Sequence, residues 1–205
     1  MRDLDEMTGS LLYITEESEL TLTGTTFTGG KAISGGAVQV QGSASLEADN
    51  CTFYNNEATG KGGDIYGISY SNITVTNSKF SHSSSAVALI QAVALSNFMH
   101  NQFIAYENQN ELIYVQEAKI NFQNNTVKGF YSPDYSVFHG VSTTQVQIES
   151  STFSDIIAQH TVNLEFTKVP DITQDNHKIS NSVFTNIQGF ENGAGIAFTN
   201  TNGVI

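Results

Sequence analysis

The sequence predicts an all-β solenoid, a parallel β-helix of about seven coils with three short strands in each coil. Three observations lead there. An apolar mark recurs as Phe27, Phe53, Phe80, Phe103, Val127, Phe153 and Phe184, at steps of 26, 27, 23, 24, 26 and 31 residues. Other apolar residues keep fixed offsets from it: Leu20, Leu46, Ile73, Ile120 and Val146 stand seven positions before, and Leu22, Ala48, Val75, Phe98, Phe122, Ile148 and Ile179 five before. Three before it stand Asn50, Asn77, Asn124 and Asn181, with Gly24, His100 and Ser150 filling the slot elsewhere. Self-similarity at such a period marks repeats that bury their apolar face only by stacking on their neighbours.

Each coil opens with one strand. Ala37–Val40, Val87–Ile90 and Leu112–Val115 each run into a glutamine (Gln41, Gln91, Gln116), and Ile65–Ile68, Val137-Phe138, Val162–Phe166 and Ile196–Phe198 take the same place in their coils. Such apolar runs beside turn residues read as strands. The alanine-rich run from Ala86 to Leu95 could be helical by propensity, but its match to Leu112–Ile120 favours two strands. A second strand follows, in which residues seven and five before the mark point inward and Thr21, Glu47, Thr74, Asn121 and Gln147 point out. The asparagine slot then makes a corner, since Asn bonds to nearby backbone and tolerates sharp bends. Stacked asparagines there predict an amide-to-amide ladder. A short third strand carries the phenylalanine, and a longer polar loop closes the coil. With about five inward side chains per coil, each worth roughly 1.5–3 kcal/mol on burial, and a rise of about 4.8 Å, the rod is on the order of 34 Å long.

The fullest copy of the repeat is Asn50-Cys-Thr-Phe53-Tyr-Asn-Asn56-Glu-Ala58, followed after three residues by Gly62-Gly63-Asp64-Ile65-Tyr66. Gly35-Gly-Ala-Val38 is a second copy of the glycine element and Asn192-Gly-Ala-Gly-Ile196 a decayed third; the middle coils lack the pair. These residues resemble the Phe-x-x-Asn and Gly-Gly-Ala-Ile repeats of chlamydial polymorphic outer-membrane proteins and similar pectin-lyase-like surface proteins. The resemblance implies a right-handed parallel β-helix, the hand that parallel crossovers favour in general, and a surface adhesin or scaffold.

At this repeat length, residues 1–205 form one solenoid domain, expected to be a fragment of a longer solenoid because strand-like sequence begins near Leu11 and Gly203-Val-Ile205 stops inside a coil. Eight basic against twenty acidic residues leave a net charge of -12, which excludes nucleic-acid binding for want of a basic footprint. Cys51, the lone cysteine, has no internal disulfide partner and reads as a small core or turn residue. No apolar run reaches the length of a membrane span, and the polar start Met1–Met7 is no signal peptide.

The pectate lyases, polygalacturonases and pectin methylesterases that this rod resembles work through a basic residue, clustered aspartates or paired carboxylates. Here Arg2 is the sole arginine, and Asp49, Asp64, Asp134, Asp155, Asp171 and Asp175 fall at different offsets from their marks, so they are not expected to converge. Phe138-His139-Gly140 shares only a His-Gly with the polygalacturonases. The five histidines, His82, His100, His139, His160 and His177, also scatter over coil positions, with His100 a substitute corner residue, and no metal site is expected. Gly24–Lys31 fails as a phosphate loop, because Gly30 stands where lysine and Ala32 where a hydroxyl is required. Its glycines fit turns needing positive φ.

Sequons occur at Asn50, Asn72 and Asn124; the first and last fall in the expected ladder, leaving Asn72 as the candidate acceptor. Phe130-Tyr-Ser-Pro-Asp-Tyr135 reads as an aromatic loop whose Phe130, Tyr131 and Tyr135 could meet a ligand or partner, and Lys168–His177 lengthens the last full coil. The sequence thus points to a non-enzymatic extracellular or cell-surface scaffold with no cofactor, whose partners are other proteins, in the same chain or in an assembly, and glycans. The alternative is a carbohydrate-binding or carbohydrate-processing β-helix, which requires acids or aromatic rings lined up along one face. A third reading is a subunit that docks end to end through its terminal coils.

Overall fold

A computed structural model describes residues 10–83, 88–91, 95–107, 110–142, 145–165, 177–190, 194–199 and 203–204. The chain runs through strand triplets. They are β1 (Leu12–Ile14), β2 (Glu19–Thr23) and β3 (Thr26–Thr28), then, after the side strand β4 (Lys31–Ser34), β5 (Val38–Val40), β6 (Ser45–Asp49) and β7 (Thr52–Tyr54). A second side strand, β8 (Glu57–Lys61), leads to β9 (Ile65–Gly67), β10 (Asn72–Thr76) and β11 (Lys79–Ser81). The middle coils hold β12 (Ala88–Gln91), β13 (Leu95–Met99) and β14 (Gln102–Glu107), then β15 (Ile113–Gln116), β16 (Lys119–Gln123) and β17 (Thr126–Ser132). The last coils hold β18 (Phe138–Val141), β19 (Gln145–Glu149) and β20 (Thr152–Ala158), then β21 (Val162–Glu165), β22 (His177–Ser180) and β23 (Val183–Gly189), and finally β24 (Ile196–Thr199) and β25 (Gly203–Val204).

First, second and third strands of successive coils stack into three sheets of eight, eight and seven strands. Every described pairing is parallel, as in β10 between β6 and β13, where Ile73 lies opposite Leu46 and Ser96. Among the described residues the stack therefore holds seven complete triplets and an eighth begun by β24 and β25, slightly more than the repeat count implies. Among the described residues the side strands β4 and β8 pair with each other, as a small fourth sheet. No helix among the described residues is long and apolar enough to cross a membrane.

The core is a column of inward side chains shared by all coils. The marks Phe53, Phe80, Phe103 and Phe153 are fully buried, and their rings stack coil on coil: Phe53 on Phe80 at 4.6 Å and 4°, Phe80 on Phe103 at 4.8 Å and 7°. Val127 breaks that column, and Phe122 of the second sheet leans into the gap, with its ring 5.7 Å from Phe103 and 6.1 Å from Phe153.

The corner differs from the expected asparagine ladder by one residue. Gly24, Asn50, Asn77, His100, Asn124, Ser150 and Asn181 all have left-handed backbones, with φ between 51° and 62°. Asn50, Asn77 and Asn124 are exposed there, and each gives its backbone N–H to the next coil, as Asn50 does to Thr76 O at 3.1 Å. The buried ladder is built by the following residues. The amide N–H of Cys51 donates to Ser78 Oγ (2.9 Å), that of Ser78 to Asn101 Oδ1 (2.9 Å), that of Asn101 to Asn125 Oδ1 (2.8 Å), that of Asn125 to Ser151 Oγ (3.2 Å) and that of Ser151 to Ser182 Oγ (3.2 Å). The left-handed residue turns the chain, and the turn drives the next side chain inward, where its oxygen meets an otherwise orphaned buried N–H. Asn tolerates that backbone as few residues do, which explains the composition of the slot without any amide-to-amide bond.

A second left-handed column stands two residues after the mark, at Gly29, Asn55, His82, Gly129, Asp155 and Asn186. It explains the Phe-x-x-Asn phrase: Asn55 turns and Asn56 points inward. In the later coils the third strand continues past this kink, so β17, β20 and β23 are each seven residues long rather than short. The expected aromatic loop is corrected accordingly. Phe130 lies in β17 opposite Tyr106 and Ile156, and its side chain is core, 2% exposed.

Candidate functional site

The outward residues of the first sheet form a row that the repeat carries past the middle of the stack. Tyr114 on β15 lies opposite His139 on β18, and His139 opposite Asn163 on β21; nearer the start, Gln39 lies opposite Tyr66. Outward positions on a solvated sheet are ordinarily open, yet Tyr66 and Asn163 are buried and Gln39, Tyr114 and His139 only partly exposed. At these positions the row is sunken, while at its start Tyr13, opposite Gln39, is 52% exposed.

At its far end Glu111, in the turn before β15, and Glu165, at the end of β21, converge on His139 from either side. Nδ1 of His139 stands 3.0 Å from Glu111 Oε1, within hydrogen-bond reach. Nε2 stands 3.5 Å from Glu165 Oε1, an ion-pair distance without hydrogen-bond alignment. Glu165 Oε1 is held in place by the amide of Asn163, which donates to it at 2.7 Å. The Tyr114 ring stands edge-on to the His139 ring, 5.4 Å between centroids at 90°. Burial first, then the charges of Glu111, Glu165 and Glu117, push the Tyr114 hydroxyl above its ordinary range, so the phenol stays protonated and can donate, to Gln116 Oε1 at 3.4 Å.

Chemically this is an oriented imidazole between two carboxylates. Glu111 fixes the ring through Nδ1, the part a carboxylate plays in a general-base dyad. Nε2, however, is covered, with Glu165 Oε1 beside it, instead of facing an opening. The visible effect of the arrangement is to tie three successive coils together. Among the described residues no three His, Cys, Asp or Glu side chains are grouped so as to hold a metal ion.

The residues singled out from the sequence are distributed otherwise. Tyr131, the neighbour of core Phe130, faces outward and is exposed; Tyr135 sits half-buried in the turn before β18, where its carbonyl accepts the Gln159 N–H at 3.0 Å. The three rings therefore do not form one surface. Asn72 begins β10 with an exposed side chain. Asn50 and Asn124 are exposed too, since the ladder runs through their successors, so burial does not set Asn72 apart. Cys51 is buried in the ladder with Sγ 3.4 Å from Asp49 O. Residues 168–176, with Asp171 and Asp175, lie outside the described residues.

The Glu111–His139–Glu165 cluster escapes a reading of the sequence that counts from the phenylalanines. The loops between the third sheet and the next first strand vary in length, so Glu111 follows its mark by 8 residues and His139 and Glu165 follow theirs by 12, and the three still meet. The strand pairing of Tyr114, His139 and Asn163, aligned on the first sheet alone, is the signal that finds them.

A family model described as the right-handed β-helix region matches residues 10–205. No curated protein and no solved structure matches the chain significantly. The match covers nearly the whole chain and agrees with three parallel sheets wound coil on coil, so the chain belongs to the right-handed β-helix family.

Proposed function

We propose that this chain is a non-enzymatic scaffold of the extracellular space or cell surface, a rigid length of β-helix that spaces or presents other surfaces in adhesion or assembly. The observation that carries this reading is how the reactive side chains are used. Asp64 is sealed in the core, Cys51 and the corner polar groups are spent on the ladder, and the Nε2 of His139 is covered. A catalytic centre instead presents its acid or base to a substrate within hydrogen-bond reach. The location is tested by labelling intact source cells with a membrane-impermeant amine reagent. Labelling of this chain before lysis is expected; labelling only after lysis would remove the surface from the proposal.

A second reading, a carbohydrate-binding face, is favoured by the sunken row on the first sheet. Half-buried Tyr114 supplies a ring and half-buried Gln39 and Gln116 supply amides, the mixture that grips sugars, while buried Tyr66 and Asn163 line the sheet between them. A glycan array probed with the chain and with Tyr114→Ala tests it. Binding that the substitution abolishes would support it, and no binding to any glycan would remove it.

A further inference from the structure

Where the slot before a first strand is described and buried it carries Ala37, Asp64, Leu112, Val137 and Thr161, and Asp64 is the one acid among these. It is fully buried. Its Oδ1 accepts two hydrogen bonds, from Asn56 Nδ2 and from Ser83 Oγ, both at 2.7 Å, while its Oδ2 has no partner. Its backbone carbonyl also accepts the N–H groups of Ala37 and Val38 from the preceding coil.

Asn56 is the hub of this network. Its Oδ1 accepts the Gly30 N–H at 2.9 Å, its Nδ2 also donates to Phe27 O at 3.2 Å, and its N–H donates to Ser83 Oγ at 3.2 Å. The network therefore joins three successive coils at the base of the lobe formed by β4 and β8. That lobe is tight: a Cβ on Gly36 would collide with the carbonyl oxygens of Gly63 and Glu57. Among the described residues its two strands form a sheet of their own.

We propose that Asp64 is a proton-dependent latch, whose neutral carboxyl holds the β4–β8 lobe onto the rod and whose ionisation loosens it. With both donors on Oδ1, an ionised carboxylate leaves Oδ2 buried without a donor, and an unpaired buried charge is far costlier than an unpaired hydroxyl. No neighbouring charge offsets this. The titratable groups on the adjoining elements are Lys31, Glu57, Lys61, the exposed Lys79, His82, Tyr54 and Tyr66. Lys31 and Glu57 pair with each other at the surface, Lys61 and His82 are exposed, and Tyr54 packs on His82. Tyr66, on the same strand as Asp64's neighbour Ile65, is neutral throughout, its hydroxyl raised by burial.

Burial pushes the Asp64 carboxyl up to about 7, against the opposing pull of the Ser83 and Asn56 hydrogen bonds. The folded value lies above the ordinary aspartate value of about 3.9, so between roughly pH 4 and pH 7 the folded chain keeps a proton that the open lobe releases. The latch is therefore complete in acid, weakens as pH rises toward 7, and changes no further above it.

The test uses the full chain. The side-chain carboxyl carbon of Asp64 is followed by NMR from pH 4 to pH 9, and amide exchange is measured at pH 5 and pH 8 after correction for intrinsic rates. We expect a carboxyl midpoint near 7, with protection over residues 30–36 and 57–63 falling about tenfold or more relative to β16–β20. Asp64→Asn should abolish that pH-dependent difference. Ser83→Ala, which removes a donor to the carboxylate, should move the midpoint up. Titration of Asp64 below about pH 5, or a midpoint near 7 with no loss of protection in the lobe, would overturn the latch.

Discussion

Which residues sit at the corners is decided by backbone conformation and by an orphaned N–H, and the two demands fall on adjacent positions. Asn77 turns the chain at φ 51° in solvent, and its neighbour Ser78 turns inward to receive the Cys51 N–H. Asn101 does the same one coil on, with Oδ1 on the Ser78 N–H and Nδ2 on Val75 O. Asn101→Ala leaves the buried Ser78 N–H unpaired and removes a donor from Val75 O, and should cost about 1–3 kcal/mol in urea unfolding. Asn77→Gly, which keeps the turn, should stay within about 0.5 kcal/mol. Equal losses would mean that the exposed asparagine, not its neighbour, carries the ladder. From sequence the asparagine column was visible and its purpose was misplaced by one residue. Asn50, Asn77 and Asn124 recur conspicuously, whereas Cys51, Ser78, Asn101, Asn125 and Ser151 are of three residue types, alike only in filling a small inward slot.

At the scale of the strand, the aromatic column shows how one coil corrects another. Phe80 and Phe103 stack nearly parallel, but Val127 is too small to continue the column, and Phe122 reaches across from the second sheet to touch Phe103 and Phe153. Phe122→Ala would open a cavity between coils and should destabilise by about 3–5 kcal/mol by denaturant midpoint. Val127→Phe in that background should recover part of the loss by restoring the column, and no recovery would show that Phe122 does more than fill the gap. Strand identity and order were legible because Leu46, Ala48 and Phe53 repeat at fixed offsets within each coil. Two things were not. The kink at Gly129 that lets β17 run on to Ser132, and so buries Phe130, depends on a single residue's backbone. The meeting of Glu111, His139 and Glu165 depends on loops of unequal length, across which a count from the phenylalanine loses register.

At the scale of the whole molecule, each coil touches mainly the coils before and after it, so stability should behave as a sum over neighbours. Deleting residues 102–125 joins Asn101 to Thr126, slot to identical slot, and lets Phe98 take the place of Phe122, to which it is paired in the second sheet. The shortened chain should keep its β-sheet circular dichroism and unfold at a lower denaturant concentration. Loss of the fold would show that the stack is cooperative beyond neighbouring coils. The same regularity fits the structural role proposed for the rod, with its buried corner side chains joining coil to coil. The most direct test is to incubate the purified chain, alongside His139→Ala, with polyuronates, their methyl esters and neutral polysaccharides, and to follow new reducing ends, unsaturated products and released methanol. The scaffold account predicts none from either protein; turnover by the unaltered chain that His139→Ala abolishes would contradict it and place an active centre on the first sheet.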